Sequence, residues 1–125
     1  MRIGEVAAES GVTVKAIRHY EAEGLLGRVQ RRGSYRSYDD GHLRRLRLIA
    51  HCRAQGFSVP EVREILALLP TSGCPDPRAM ETLVATKLED VRREQTRLRA
   101  TARRLERTRA YLRQRAAEHP SAIGA

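Results

Sequence analysis

From Arg78 to Glu118 the chain contains neither glycine nor proline, the two residues that most readily break a helix. Within that stretch Val84, Leu88, Val91, Leu98, Ala102, Leu105, Leu112 and Ala116 recur at alternating spacings of four and three, with Gln95 and Arg109 completing the series. This heptad seam predicts one continuous helix over 78–118. At 1.5 Å per residue such a helix is roughly 60 Å long. The domain ahead of it is too small to bury a seam of that length. A second copy of the chain is the simplest cover, so the pattern predicts a homodimer through residues 80–116. The other faces of the helix are rich in arginine. They read as solvated, with some Glu–Arg pairs, and a second DNA surface is the alternative.

Ahead of this rod, Ile3 to Glu23 carries two short helical patterns joined by a tight turn. Ile3, Val6 and Ala7 form one apolar stripe. Ser10-Gly11 interrupts it, and Thr13 stands where a hydroxyl can cap the next helix. Val14, Ile17 and then Tyr20 or Glu21 follow at helical spacing. Helix, glycine turn, helix is the helix-turn-helix pattern, whose second helix enters the DNA major groove. Lys15, Arg18, His19 and Tyr20 are its predicted exposed positions.

After Gly24-Leu25-Leu26-Gly27, Arg28 to Tyr38 reads as a β-hairpin with Gly33-Ser34 as its turn. The hairpin carries Arg28, Arg31, Arg32 and Arg36 and no acid. Beside a helix-turn-helix, such a hairpin is a wing that can grip DNA backbone. A solubilising loop is the plain alternative. Asp39-Asp40 then starts a third helix, with Leu43, Leu46, Ile49, Ala50 and Arg53 on its inner face and Gly56 as its stop. Phe57 is expected in the core. Ser58-Val59-Pro60-Glu61 is a helix start, and Val62, Ile65, Leu66 and Leu69 supply that fourth helix with an apolar face. Residues 71–77 read as a linker.

Of the 24 basic residues only Lys15 and Lys87 are lysines, and the formal charge is +9. An arginine bias by itself also follows from codon usage. The excess charge points to a polyanion, either nucleic acid or an acidic membrane surface. No apolar run approaches the ~18 residues needed to span a membrane. The first residues lack a signal-peptide core, so the protein is expected to stay in the cytoplasm. The long helix has no Trp or Phe on its apolar face, which argues against a membrane-surface role. No nucleophile has a matching base, Ser10 and Ser34 read as turn residues, and His19 and His42 are isolated. The chain is therefore expected not to be an enzyme.

Taken in order, Arg2-Ile3-Gly4-Glu5-Val6-Ala7, Gly11-Val12-Thr13, Ile17-Arg18-His19-Tyr20-Glu21, Gly24-Leu25-Leu26, Tyr35-Arg36-Ser37-Tyr38 and Gly56-Phe57-Ser58 resemble the MerR-type transcription regulators. The resemblance covers residues 2–69. It implies a mainly α protein: a winged helix-turn-helix DNA-binding domain over 1–70, a linker, and a coiled-coil dimerisation helix over 78–118. Residues 119–125 read by themselves as a disordered tail. The resemblance also implies a homodimer with antiparallel long helices on an inverted-repeat promoter operator. Such a dimer distorts double-stranded DNA so that RNA polymerase can use the promoter. Carried over to this chain, Lys15, Arg18 and Tyr20 face the groove or its phosphates, and His19 joins the candidate DNA contacts as an exposed residue of the same helix. By the same resemblance Tyr35, Arg36 and Tyr38 hold backbone from the wing, and the charge of the hairpin adds Arg31 and Arg32 to the candidate DNA contacts. Arg18 is the best guanine reader by chemistry, and the tyrosines are phosphate donors. The other DNA-binding reading is a non-specific, nucleoid-coating protein.

The cofactor is left open by the sequence. Four cysteines, as an iron–sulfur cluster needs, are absent. Cys52 on the third helix reads as a small buried hydrophobe. Cys74, in Ser72-Gly73-Cys74-Pro75, is the candidate effector residue. In an antiparallel dimer His119 of the partner subunit returns toward it, giving half of a weak metal site, with Asp76 or Glu118 as further oxygen donors.

Overall fold

The computed structural model describes residues 1–69 and 76–119. The element order is α1 (Ile3–Ser10), α2 (Val14–Ala22), β1 (Gln30–Arg32), β2 (Tyr35–Ser37), α3 (Asp40–Ala54), α4 (Val59–Ala67) and α5 (Pro77–Glu118). Contacts divide the chain into two units, Met1–Leu83 and Val84 onward.

Local chemistry sets most helix ends in the first unit. α1 stops at Gly11, whose φ of 73° is left-handed and whose N–H returns to the Ala7 carbonyl at 2.9 Å. The Thr13 hydroxyl accepts from the Ala16 N–H at 3.1 Å and so starts α2. Asp39 accepts from the His42 N–H at 2.9 Å at the head of α3. That bond is the chief reason its carboxyl titrates below the ordinary carboxylate range. Ser58 and Glu61 close a reciprocal pair, each side chain accepting the other's backbone N–H, at 3.3 and 2.8 Å. These starts and stops are the ones the sequence predicts.

The core joins one or more faces from every helix of this unit. Val6 of α1, Ile17 of α2, Leu46, Ile49 and Cys52 of α3, and Val62, Ile65 and Leu66 of α4 are all buried. Phe57 is buried too, and burial pushes the Cys52 thiol upward in pKa. Arg53, expected on the inner face of α3, is exposed at its turn end and donates to the Phe57 carbonyl at 2.9 Å. Met80 and Leu83, on the first turns of α5, pack half-buried against the core. That packing carries the first unit past the start of the long helix, to Leu83.

In the hairpin Gln30 pairs with Ser37, Arg31 with Arg36 and Arg32 with Tyr35, across a Gly33-Ser34 turn in which Gly33 takes a φ of 64°. Tyr38 differs from expectation. It is 1 % exposed and lies inside the core, not on the DNA-facing surface of the wing. Its hydroxyl donates to Glu21 Oε1 at 3.0 Å, and its ring meets His42 edge-on. Tyr38 is therefore withdrawn as a phosphate donor: its one donor is already committed, and its ring is needed for packing.

In the second unit α5 carries no buried residue. Val84, Leu88, Val91, Leu98, Leu105 and Leu112 are exposed along it. The solvated pairs expected on its other faces are present, in Arg93 with Glu89 and Asp90 and in Arg97 with Glu94.

Burial first, and then the Glu21 bond, push the Tyr38 phenol up to about 12 from an ordinary 10.0. The folded state thus favours the neutral phenol. That stabilisation is complete below pH 10 and is lost as pH rises from 10 to about 12. The urea midpoint of the parent should fall across this window. Tyr38→Phe should be about 1–3 kcal/mol less stable at neutral pH and fall less across the same window. An equal alkaline fall in both proteins would contradict the assignment.

Candidate nucleic-acid interface

Ile17 is wholly buried at the middle of α2, which turns the opposite face of this short helix outward. Lys15, Arg18 and His19 are exposed on that face, as the sequence predicts. Tyr20 is only half-exposed. It packs against the core and lies 5.8 Å from the His19 ring, so its ring serves the fold as well as the surface.

Arg31, Arg32, Tyr35 and Arg36 are all exposed on the wing. The register sets Arg31 directly across from Arg36. Like charges that face each other across a hairpin repel, and an opposing polyanion relieves that repulsion. The Arg2 guanidinium lies 3.9 Å above the centre of the Tyr35 ring, a cation–π contact joining the start of α1 to the wing. Between α1, α2 and the wing lies a groove of about 570 Å³, lined by Arg2, Arg18, Arg36, Tyr35, Ser34 and Glu21 among others.

Two residues that the sequence reading left without a role organise this surface. Glu21 accepts the Tyr38 hydroxyl on Oε1 at 3.0 Å, and its Oε2 forms an ion pair with Arg36 Nε at 3.1 Å. His42 is buried rather than isolated. Its Nδ1 accepts the Asp39 N–H at 3.0 Å, so its Nε2–H donates to the Arg28 carbonyl at 2.9 Å. Arg28 itself, one of the four hairpin arginines, is exposed ahead of β1. Arg2 is a third residue the sequence reading did not place at the interface. Its position follows from the fold, which brings the first residues of the chain to the end of the hairpin. The Met1 carbonyl accepts the Tyr38 N–H at 2.7 Å.

Among the described residues no group of three His, Cys, Asp or Glu side chains is placed to hold a metal ion, and no helix is long and apolar enough to cross a membrane. Cys74 lies outside the described residues, with most of the predicted linker and residues 120–125 of the predicted tail. His119 is exposed just beyond α5, its N–H on the Arg115 carbonyl at 3.1 Å.

A helix-turn-helix with an arginine hairpin beside it also appears among known proteins. Residues 1–69 match the family described as MerR HTH family regulatory protein, and residues 43–114 match the one described as MerR, DNA binding. The HTH-type transcriptional regulator HmrR of Sinorhizobium medicae is 46% identical over 69 residues, which are 54% of this chain and 47% of that protein. The chain thus spans about half the length of that relative. HmrR of Rhizobium leguminosarum bv. viciae is 38% identical over 108 residues, 84% of this chain and 83% of its own. The structure resembles the transcription regulator PbrR691 from Ralstonia metallidurans CH34 in complex with lead(II), with a TM-score of 0.73 and 37% identity over 84% of this chain and 82% of that one. With one family profile matched over more than half of its length and a regulator aligned across most of both chains, the protein belongs to the MerR family of helix-turn-helix regulatory proteins.

Proposed function

We propose that this protein is a sequence-specific transcriptional regulator that binds an inverted-repeat promoter operator in the cytoplasm as a homodimer. It controls the promoter by distorting the duplex for RNA polymerase. The observation that carries the reading is the pairing, in one unit, of two different tools. α2 shows Lys15, Arg18 and His19, short of any acid partner among the described residues, and the wing shows Arg31, Arg32 and Arg36 beside them. Phosphate contacts from the wing set register, and side chains of a groove-bound helix read base edges. A non-specific coating protein needs the phosphate contacts of the wing and not a base-reading helix. Distortion of the DNA is supported by the family membership alone.

The dimer is supported by the apolar seam of α5. Leu98, Leu105 and Leu112 are each more than half exposed, a row of leucines that a monomer leaves in water. The related regulator solved with lead(II) supports an effector of the soft-metal or thiol-reactive class here. Cys74 is the residue of this chain with the matching chemistry, and His119 of the partner subunit is the second donor in an antiparallel pair.

Duplexes selected by the protein from a random pool should carry an inverted repeat. On the selected site Arg18→Ala should cost about 1–3 kcal/mol and relax base choice at one position per half-site. Arg31→Ala should weaken all duplexes alike and flatten the dependence on salt. Parent-like operator binding by Arg18→Ala would reject the recognition helix.

Leu98→Asp places an unpaired charge in the middle of the seam. Sedimentation should show a monomer at micromolar concentration, with operator binding reduced far more than one contact explains. A variant that remains dimeric would reject the seam.

Cys74→Ser should abolish the transcriptional response to soft metals and electrophiles while operator affinity stays at the parental level. An unchanged response would remove Cys74 as the sensor.

A further inference from the structure

We propose that Glu21 is a positioning residue for DNA recognition. Standing on the reading helix, its carboxylate holds Arg36 and Tyr38 of the wing together and aims the outer edge of the Arg36 guanidinium into the groove that Arg18 lines. The inference rests on the DNA-binding reading above and adds to it a residue that acts through its neighbours.

The geometry is a chain of three side chains, each fixing the next. Tyr38 is immobilised by burial, so its hydroxyl is a fixed post. That hydroxyl donates to Glu21 Oε1 at 3.0 Å and selects one orientation of the carboxylate. The other oxygen faces Arg36 Nε at 3.1 Å. The Glu21 side chain is 17% exposed against 45% for Arg36, so the acid is the sheltered member and the arginine the outward one.

A guanidinium is planar, with its donors in a rigid fork. Paired with the acid at Nε, it leaves its two Nη groups outside the ion pair. The Arg36 guanidinium has no hydrogen bond and no second ion pair among the described residues. Arg36 lines the groove of about 570 Å³ that Arg2, Arg18 and Glu21 also line. A phosphate meets the two Nη groups in two parallel N–H···O bonds, a contact with direction as well as charge.

Without the grip, Arg36 is a long side chain on an exposed strand of three residues, and binding must order it afresh. The consequence falls on recognition rather than on plain attraction. Glu21 is an anion near a surface that meets a polyanion, so in charge alone it opposes DNA binding. Its contribution is geometric: it ties the wing to the helix that reads bases, so phosphate register and base register are set together.

The test uses the full chain, the duplex it selects from a random pool, and a scrambled duplex of the same composition. Fluorescence anisotropy at one salt concentration gives the ratio of the two affinities. Glu21→Gln should lower that ratio about tenfold, while affinity for the scrambled duplex holds or rises. In an Arg36→Met background the same substitution should change the ratio less than about twofold, because the group it aims is gone. Glu21→Asp keeps the charge and the fold but is one methylene too short to reach both partners. It should lower the ratio too, with the salt slope unchanged. A parental ratio in Glu21→Gln or Glu21→Asp, or an equal loss with and without Arg36, overturns the inference. Failure of the parent to enrich any sequence from the pool is a different result, and it overturns the DNA-recognition reading together with the inference built on it.

Discussion

Tyr38 is the tether on which the functional surface depends. A hairpin of two three-residue strands with both faces in water does not hold itself together. Here both stems are fastened to the body. On the outgoing side the His42 Nε2–H donates to the Arg28 carbonyl. On the returning side Tyr38 is buried, exchanges main-chain hydrogen bonds with Met1 and donates its hydroxyl to Glu21. The exposed arginines between these points can repel one another without unravelling the strands, because the energy that keeps the hairpin in place comes from its base and not from its tip.

The same division decides what the sequence could tell in advance. Helix ends were legible at Gly11, Thr13, Asp39 and Ser58 because each is settled within about four residues by a cap or a left-handed turn. The face of α2 was legible because Ile17 fixes it. Tyr38 was not. In Tyr35-Arg36-Ser37-Tyr38 the two tyrosines look equivalent, and both suit a phosphate contact. Their difference comes from Glu21, seventeen residues back, and from the core beneath, neither of which leaves a periodic trace. His42 was opaque for the same reason: its second ring nitrogen is satisfied by a carbonyl fourteen residues away. Long-range polar contacts do not write a pattern into the chain, whereas caps and apolar stripes do.

Charge in the first unit is arranged rather than merely abundant. Glu9 faces Arg47, Glu23 faces Arg63 and Glu21 faces Arg36. The Arg63 pair also uses the Glu23 carbonyl, and the Arg47 pair the Glu9 carbonyl, so both arginines brace the ends of helices. Such exposed pairs contribute little to stability. Their effect is to take up acids where arginines brace the fold. Lys15, Arg18, Arg31 and Arg32 are left with no acid partner among the described residues. Part of the +9 charge thus stands unpaired on α2 and the wing.

The long helix follows a different logic. Val84, Leu88, Val91, Leu98, Leu105 and Leu112 of the seam are exposed, and the ion pairs along α5 are exposed pairs on its own surface. Surface pairs at such spacings contribute only tenths of a kcal/mol each, and helix stability in proteins comes mainly from packing an apolar face. An extended helix with leucines in water is therefore an unfinished structure in the single chain. The proposed antiparallel partner would finish it and would also fix the separation of two reading helices. The seam would then serve stability and operator spacing through one set of contacts, so a substitution at Leu98 is felt at the DNA without any contact between the two.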